Sequence, residues 1–544
     1  MKKAIPLGVM DYKEFKENNY YTVDKTMMIK DFLSSKRKVT LITRPRRFGK
    51  TLNMSMLSYF FDITKDSKEL FNDTKIMKTE YADEMNKYPT IFISFAGAKG
   101  NKESVIKFIK LAIRKEYERF EFIFADMTIF EKHDYDEIIM CLLDNNDLQL
   151  SHLNNGLSFL MEMLEKYYHQ KVMLFIDEYD TPFIEAHVGS FYSEVKSGLS
   201  SLLHNALKLS PSLQYAMLTG IQRVAKENIF SDLNNLVVCT VVDDEYASYF
   251  GFVEEEVKEL LEYYDLDFNE EVKGMYDGYH IGDFEIYNPW SIINYASRKK
   301  LIPYWVNTSA NIMIKNAIKD SDVGFQQEYE RLIQDGRLET RMTLETSFYE
   351  YSSSSSLWGL LVNAGYLTIE ETVSPLNSIY TVRIPNQEVQ REFIDLTEYY
   401  LSVKDARLSL MLRYLVEEKQ DLFIQEYRNI LMLPSYHDLK NENSYHMMML
   451  GMCICLSNNY EVISNREEGK GRCDIILKAK KNKPSFVIEF KYTKDSEQLE
   501  TLVNEAVKQI EDKRYDCELS GKVIHIGLAH CGKDAMMKWI VMER

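Results

Sequence analysis

Short apolar runs alternate with longer segments of helical periodicity through the first half of the chain. The strand-like runs cover residues 39–43, 90–95, 171–176, 214–221 and 236–242. Between them, apolar residues recur at helical spacing in segments that include 102–120, 156–169 and 194–209. Strands that alternate with helices predict a mostly parallel sheet with helices on both faces. Such a sheet binds ligands at the carboxyl ends of its strands.

The second half of the chain changes pattern. Residues 253–296 are mainly helical, and a helix at 358–366 leads into a hairpin that weakly resembles a winged-helix module. The serine-rich stretch 352–356 predicts an exposed loop. A further α/β pattern follows the helical segment 388–431. These changes predict four regions, with bounds 1–255, 256–390, 391–435 and 436–544.

The last region contains a hairpin with charged residues in an apolar setting. Alternation along strand 485–491 places Glu489 and Lys491 on one face and apolar side chains on the other. Asp474, on the preceding strand, can join the charged pair. Burying such a pair on a central strand is costly unless the charges have a partner or a task.

A phosphate-binding loop is predicted between strand 39–43 and the helix that follows it. Arg46, Arg47, Phe48 and Gly49 form the turn, Lys50 would reach the β- and γ-phosphates, and the hydroxyl of Thr51 would hold Mg²⁺. The free N–H groups and the positive dipole of the helix start favour a polyphosphate. Arg44 stands where the general pattern has glycine, so an ordinary helix N-terminus is the alternative.

A second acidic motif supports nucleotide binding. Strand 171–176 ends in Asp177 and Glu178, which predicts Asp177 near Mg²⁺ and Glu178 orienting the attacking water. The alternative is a buried strand that runs into an acidic loop. Residues 219–223, which close another strand, are either a γ-phosphate sensor that contains Arg223 or a turn with a surface arginine.

The charged hairpin predicts a second centre for phosphate chemistry. Carboxylates of Asp474 and Glu489 can hold Mg²⁺, which prefers oxygen ligands. Lys491 can position a water, help to deprotonate it and offset charge on the attacked phosphate. The alternative is a buried ion pair. Gln509 and Glu442 are secondary candidates, and an exposed helical glutamine is the simpler interpretation of Gln509.

Composition narrows the class of protein. With 544 residues, 45% hydrophobic and 12% aromatic, the chain can form several globular domains. The net charge of −17 argues against non-specific coating of nucleic acid. Two basic segments, 36–50 and 470–494, nevertheless coincide with the two predicted phosphate centres. The seven cysteines include no Cys-x-x-Cys pair, and no apolar signal region or membrane span is evident, so we expect a soluble cytoplasmic protein.

Taken together, the motifs resemble a bacterial and archaeal family that joins an AAA-ATPase-like, STAND-related P-loop NTPase to a C-terminal PD-(D/E)XK nuclease domain. The segments that carry the resemblance are 23–26, 44–51, 175–182, 218–221, 276–279, 287–290 and 471–491. The family has its own Arg-Pro-Arg-Arg variant of the phosphate loop, which accommodates Arg44. The resemblance implies an α/β fold with an N-terminal parallel sheet, a helical and winged-helix middle, and a restriction-endonuclease-like α/β domain.

The resemblance also implies site roles and cofactors. Lys50 and Thr51 would bind ATP and Mg²⁺, Asp177 and Glu178 would form the Walker B pair, and the charged hairpin would form the nuclease site. The leading hypothesis is a Mg²⁺-dependent nuclease, DNA being the favoured substrate, whose activity is gated by nucleotide and serves defence against mobile DNA. The alternative is a STAND-like signalling switch whose C-terminal domain binds nucleic acid or a partner without cleavage. The formation of a homo-oligomer stays an open alternative.

Overall fold

The structure is a computed structural model. It describes residues 2–144, 146, 148–222, 234–305, 321, 324–325, 328–329, 331–332, 336–345, 353–400, 405–432, 442–453, 456, 459–464, 467–468, 471–480 and 483–543. The chain forms two compact units, Met1–Ala317 with Glu339–Val389, and Ile318–Leu338 with Gln390–Arg544. The domain bounds expected from sequence stay predictions.

A five-stranded parallel sheet organises the first unit. Its spatial order is β2-β3-β4-β1-β5. The strands are β1 Val39–Thr43, β2 Thr90–Ser94, β3 Val172–Asp177, β4 Leu213–Gly220 and β5 Leu236–Cys239. Every residue of β1 and β3 is buried, as expected for central strands that are covered on both faces. The predicted α/β class and parallel sheet are therefore confirmed.

Helices flank this sheet and connect its strands. They are α1 Tyr12–Glu17, α2 Met27–Ser35, α3 Lys50–Phe61, α4 Lys68–Phe71, α5 Lys102–Arg119, α6 Ile129–Leu143, α7 Gly156–Tyr168, α8 Thr181–Val188 and α9 Tyr192–His204. Side chains mark several of the starts. Asn101 accepts a hydrogen bond from the amide of Ser104 at the start of α5, and Thr128 forms a capping box at α6.

The remainder of the first unit is mainly helical. Its elements are α10 Glu254–Tyr263, α11 Glu270–Tyr276, β6 Tyr279–Ile281, β7 Phe284–Ile286, α12 Pro289–Arg298, α13 Ser354–Ala364, β9 Thr368–Ser374 and β10 Ile379–Arg383. Strand β8, Arg337–Arg341, crosses the boundary between the units. Helix α13 followed by the β9–β10 hairpin agrees with the predicted helix and hairpin.

The serine-rich stretch is not an exposed loop in its described part. Ser353 caps α13 by accepting a hydrogen bond from the amide of Ser356, and Ser356 is buried. Serine is a preferred helix cap because its hydroxyl binds an otherwise unpaired amide. The expectation of a loop over 353–356 was therefore wrong, and Ser352 lies outside the described residues.

The second unit contains a mixed five-stranded sheet in the order β11-β14-β15-β16-β17. Only β15 and β16 pair in parallel. Its elements are α14 Gln387–Tyr400, α15 Asp405–Val416, α16 Gln420–Leu431, α17 Glu442–Cys453, β11 Tyr460–Ser464, β12 Glu467–Glu468, β13 Gly471–Arg472, β14 Ile475–Ala479, β15 Ser485–Tyr492, α18 Leu499–Lys513, β16 Lys522–Cys531 and β17 Asp534–Glu543. The first three residues of α14 belong to the first unit.

The two faces of β15 have different surroundings. Phe486, Ile488 and Phe490 join a large apolar cluster with residues of α16 and α17. Val487 joins a separate cluster that contains residues of α18. The predicted alternation along this strand is therefore observed. Among the described residues, no helix is both long enough and apolar enough to cross a bilayer.

Candidate nucleotide and phosphodiester sites

The turn between β1 and α3 has the backbone geometry of an anion-binding loop. Gly49 precedes α3 with φ +82°, which glycine adopts at little cost, and a Cβ built there would meet nothing within 4 Å. Lys50 is the first residue of α3, and its Nζ donates to the carbonyl oxygens of Arg44 and Pro45 at 2.9 and 2.8 Å. The ammonium group thus lies inside the curve of the loop.

Three hydroxyl side chains, from α3, β2 and β4, donate hydrogen bonds to Asp177, the last residue of β3. Thr51 and Ser94 donate to its Oδ2 at 2.8 and 3.2 Å, and Thr219 donates to Oδ1 at 2.7 Å. Burial raises the pKa of Asp177, although the bonds from Thr219 and Thr51 oppose that shift. The parallel sheet therefore brings together Thr51 and Asp177, the two residues that sequence assigned to one metal ion.

Glu178 and Asp180 follow β3 in an unusual backbone turn. Glu178 has φ +50°, a left-handed conformation that is costly for a residue with a Cβ, and its Oε2 accepts a hydrogen bond from Thr181 at 3.0 Å. Asp180 is buried and accepts from the amides of Ile221 and Gln222 at 2.8 and 3.0 Å. Burial raises the pKa of Asp180 to about 6. The Walker B turn is thereby tied to the segment after β4.

Arg44 replaces the usual glycine of the loop for a structural reason. Its guanidinium is fully buried, and Nη1 donates to the carbonyl oxygens of Thr43, Cys239 and Thr240 at 2.8, 3.1 and 2.7 Å. Burial lowers the pKa of Arg44 to about 10, which still leaves it charged at neutral pH. The side chain therefore joins the carboxyl ends of β1 and β5 underneath the phosphate loop.

Replacing Arg44 by glycine, the residue of the general pattern, should destabilise the first unit. The substitution leaves buried carbonyl oxygens without a donor, and hydrogen bonds from a charged group contribute about 1.5–3 kcal/mol each. We expect a loss of about 3 kcal/mol in the free energy of unfolding, measured by urea denaturation. Arg37→Gly, which removes an exposed pair with Glu245, is the control. An unchanged urea midpoint for Arg44→Gly would contradict this assignment.

The residues between Arg44 and Gly49 have different surroundings. The Arg47 guanidinium lies 4.5 Å from the ring centroid of Trp290, and its Nη1 donates to the Tyr304 carbonyl at 3.3 Å. The ring of Phe48 is buried and packs edge-on against Tyr279. Phe48 can therefore reach a ligand only through its backbone. Arg46 is half-buried and lines the adjoining cavity.

A cavity of about 410 Å³ borders this loop within the first unit. Residues 46–53 and Glu178 form its polar side. Its other walls are largely apolar or aromatic, and they include Ile5, Val23, Phe252, Leu260, Tyr264, Trp290 and Ile293. The volume and lining are typical of small-molecule sites, in which a few polar groups orient a ligand among apolar walls. Arg223, the candidate sensor residue, lies outside the described residues.

In the second unit, Asp474, Glu489 and Lys491 lie together at the β14–β15 pair. Asp474 Oδ2 accepts a hydrogen bond from the amide of Phe490 at 2.7 Å. Lys491 Nζ lies 3.0 Å from Glu489 Oε1 and also donates to the Phe490 carbonyl at 2.9 Å. Burial, together with the negative charge of Asp474, raises the pKa of Glu489 to about 7.

One oxygen at this site is suited to a cation. Glu489 Oε2 is buried and has no hydrogen-bond partner among the described residues. An unpaired carboxylate oxygen beside a second carboxylate is a suitable ligand for Mg²⁺. The described residues contain no cluster of three or more His, Cys, Asp and Glu that could hold a metal, so the protein would supply Asp474 and Glu489. Water or substrate oxygens would complete the coordination.

Gln509 contacts the site more closely than the sequence suggested. Its Nε2 donates to Glu489 Oε1 and lies 3.2 Å from the Tyr515 hydroxyl. The interpretation as an exposed helical glutamine was therefore wrong. Glu442, at the start of α17, also belongs to this neighbourhood, because burial raises its pKa while the charge of Lys491 lowers it.

Lys491 is a cation at this site. Burial alone would lower its pKa, but Glu489, Glu442 and Asp474 outweigh that effect and raise the pKa above its ordinary value. A lysine that stays protonated at neutral pH can attract a phosphate, but it cannot accept a proton from water. The expectation that Lys491 helps to deprotonate water therefore has no support in this geometry.

The raised pKa of Glu489 predicts a pH-dependent stability in the absence of metal. A carboxyl group with a pKa near 4.5 unfolded and about 7 folded favours folding most at low pH, and this benefit declines as pH rises from about 4.5 to 7. In EDTA, Glu489→Gln should therefore exceed the wild type in stability by up to about 3 kcal/mol at pH 8, and by much less at pH 5.5. Thermal unfolding measures the difference, with exposed Glu461→Gln as control. A pH-independent difference would refute the prediction.

The two sites lie in two separately matched parts of the chain. Residues 6–230 match the family model described as "Predicted AAA-ATPase", and residues 440–540 match "PD-(D/E)XK nuclease superfamily". The chain joins an AAA-ATPase-like domain to a PD-(D/E)XK nuclease domain. The AAA-ATPase-like match contains Lys50, Thr51 and Asp177. The PD-(D/E)XK match contains Asp474 and Glu489.

Two other comparisons cover most of the chain. The chain is 24% identical over 421 residues to a protein of Azotobacter chroococcum mcd 1 named "Uncharacterized protein in vnfD 5'region", covering 76% of this chain and 71% of that protein. A crystal structure of the Signal Transduction ATPase with Numerous Domains (STAND) protein with a tetratricopeptide repeat sensor from Pyrococcus horikoshii matches with a TM-score of 0.22 and 12% identity. That match covers 80% of this chain and 56% of the STAND protein, so the chain spans little more than half of its length.

Proposed function

We propose that this protein is a nuclease that cleaves nucleic-acid phosphodiesters with the help of Mg²⁺, under the control of ATP binding or hydrolysis in the AAA-ATPase-like domain. The observation that carries the proposal is the unpaired, buried Oε2 of Glu489 beside Asp474 and Lys491. A carboxylate oxygen that is buried without a partner costs free energy, and a bound cation would remove that cost.

In the AAA-ATPase-like domain, four polar residues of the phosphate loop and of the end of β3 each have a proposed task. Lys50 would exchange the carbonyl oxygens of Arg44 and Pro45 for the β- and γ-phosphates. Thr51 and Asp177, already 2.8 Å apart, would hold Mg²⁺ between them. Mg²⁺ bound there would neutralise charge on the phosphates. Glu178, once released by Thr181, would orient the attacking water.

In the nuclease domain, Asp474 and Glu489 would hold the metal and Lys491 would face the phosphate. Bound Mg²⁺ supplies Lewis acidity and an acidified water. Lys491 stays charged and offsets negative charge on the attacked group. Gln509 fixes Glu489 by binding its Oε1, which directs Oε2 toward the metal position. We take DNA as the favoured substrate, and the basic segment 470–494, which contains the site, can attract such a polyanion.

A cleavage assay with the full chain tests the proposal. Plasmid, linear DNA and RNA are each incubated with Mg²⁺ or Mn²⁺, with and without ATP. We expect metal-dependent cleavage of DNA whose rate changes with ATP. ATP hydrolysis without cleavage of any substrate would overturn the nuclease assignment and favour a signalling switch. A cleavage rate that is the same with and without ATP would overturn the proposed control by nucleotide.

Defence against mobile DNA is the biological role that we attach to this activity. Its test compares cells that carry the wild type with cells that carry Glu489→Gln. The wild type should reduce plasmid transformation or phage plating, and the variant should not. Equal restriction by both would contradict the role.

A further inference from the structure

Arg47 and Phe48 connect the phosphate loop to two aromatic motifs of the first unit that have no role in the proposed chemistry. The first motif, residues 287–290, ends in Trp290, which stacks on Arg47. The second, residues 276–279, ends in Tyr279, which packs against Phe48. Arg47 and Phe48, the two residues before Gly49, are therefore each in contact with a different motif.

The contacts of Arg47 continue to a buried carboxylate. Trp290 Nε1 and Arg47 Nη1 both donate to the carbonyl oxygen of Tyr304, at 2.9 and 3.3 Å. The amides of Tyr304 and Trp305 both donate to Glu388 Oε1, the latter at 2.7 Å. Arg47 and Glu388 also interact electrostatically, since Glu388 raises the pKa of Arg47 against the lowering effect of burial.

Glu388 lies in the first turn of α14 and is 1% exposed. Its second oxygen accepts a hydrogen bond at 2.7 Å from the hydroxyl of Ser291, the residue that follows Trp290. The carboxylate thus binds a backbone segment and a side chain that both lie beside Arg47. Because Gln387–Val389 belong to the first unit and the rest of α14 belongs to the second, the chain passes from the first unit to the second within the first turn of α14.

The second motif holds the same turn independently. Asn386 Nδ2 donates to the Asp277 carbonyl at 2.8 Å, and Asn386 Oδ1 accepts from the amide of Val389 at 3.0 Å. A Cβ at Gly278 would lie 2.2 Å from the Pro385 carbonyl oxygen. The backbone of this motif and the backbone just before α14 are therefore too close to leave room for a side chain. Both motifs therefore join the phosphate loop to the first turn of α14.

We propose that Trp290 and Glu388 are positioning residues for Arg47 and that, through them, nucleotide in the cavity tightens the first turn of α14. Arg47 lines the cavity, and its charge is partly desolvated. The guanidinium N–H groups other than those of Nη1 can donate to a phosphate oxygen while the contacts with Trp290 and Tyr304 persist. A phosphate would immobilise Arg47, and the shared carbonyl of Tyr304 would pass that restraint to Glu388. This inference rests on the proposed nucleotide site and specifies how its occupancy is communicated.

Hydrogen exchange of the full chain, with and without a non-hydrolysable ATP analogue, tests the relay. In the wild type the analogue should slow exchange of amides within 386–393 at least fivefold. Glu388→Gln replaces one carboxylate oxygen, an acceptor, by an amide NH2 group, which is a donor. This variant should therefore abolish the slowing, while its affinity for the analogue stays within about threefold of the wild-type affinity. Exposed Glu371→Gln is the matched control and should behave as wild type. Full protection in Glu388→Gln would overturn the relay.

Substitutions of Trp290 separate positioning from a merely structural role. Trp290→Phe keeps an aromatic face for Arg47 and should keep at least half of the analogue-dependent protection. Trp290→Leu should lose the protection and weaken analogue binding about fivefold to tenfold. Equal behaviour of the two variants would contradict the role of the stacked guanidinium. If the wild type binds no analogue at all, the proposed nucleotide site fails, and that result is distinct from binding without protection.

Discussion

Glu489→Gln is expected to abolish metal-dependent cleavage, with a fall of at least about 1,000-fold, while ATP hydrolysis is retained. The glutamine fits the same space, but it replaces a carboxylate that the metal needs by a neutral amide. Loss of one preorganised electrostatic contact in a buried site already lowers rates by about 10²–10³. Here the loss removes a metal ligand, so the effect should be at the upper end or beyond it.

The measurement is the initial rate of plasmid nicking at saturating Mg²⁺, for proteins purified in parallel. Glu505→Gln, on the exposed side of α18 in the same domain, should match the wild type. The loss of activity in Glu489→Gln, purified in parallel, then excludes a contaminating nuclease as the source of cleavage. Asp474→Asn should lose a similar amount, and the double variant should be no worse than either, because the two carboxylates act as a unit. Retention of a tenth of the activity by Glu489→Gln would remove this residue from the site.

The central sheet and its motif geometry were predictable because local pattern and tertiary need agree there. A strand buried on both faces is mostly apolar or β-branched, and the short runs 39–43 and 172–176 have that composition. Parallel strands present their carboxyl ends at one edge, so a motif after β1 and a motif after β3 must lie near each other. The hydrogen bond from Thr51 to Asp177 follows from that rule.

Arg44 could not be interpreted from sequence because its partners come from distant parts of the chain. The carbonyl oxygens of Cys239 and Thr240 lie almost two hundred positions away, and their approach depends on β5 pairing with β1. The left-handed backbone of Glu178 could not be predicted either, because the turn between β3 and α8 imposes it and no local residue pattern signals it.

Gln509 and Ser353 were misjudged although signals for both were present. The buried side chains of α18 include Ala506 and Ile510, so Gln509 lies at the edge of the buried stripe and not on the opposite face. Ser353 precedes an apolar helical run, which is the usual place of a capping serine. Both residues were assigned to exposed positions because they are polar, although their places relative to the neighbouring apolar residues indicated otherwise.

Lys50→Ala is expected to lower the affinity for ATP by about a hundredfold or more and to remove any response of cleavage to ATP. Lys50 is the only ammonium group within hydrogen-bond reach of the Arg44 and Pro45 carbonyls among the described residues, and its side chain is buried in the loop. Truncating one partner of a buried charged contact costs about 2–5 kcal/mol, which corresponds to this loss. Fluorescent ATP-analogue binding measures the affinity, and Lys102→Ala, which removes an exposed pair with Glu194, is the control.

The cleavage rate of Lys50→Ala across a series of ATP concentrations, compared with that of the wild type, tests whether the phosphate loop controls the nuclease. The substitution lies in the first unit, where Lys50 donates hydrogen bonds to Arg44 and Pro45. Metal-dependent cleavage by the second unit should therefore persist. If ATP normally activates the nuclease, the variant should stay at the basal rate at every ATP concentration; if ATP normally restrains it, the variant should stay at the unrestrained rate. An ATP response equal to that of the wild type would show that Lys50 does not mediate the control of the nuclease by ATP.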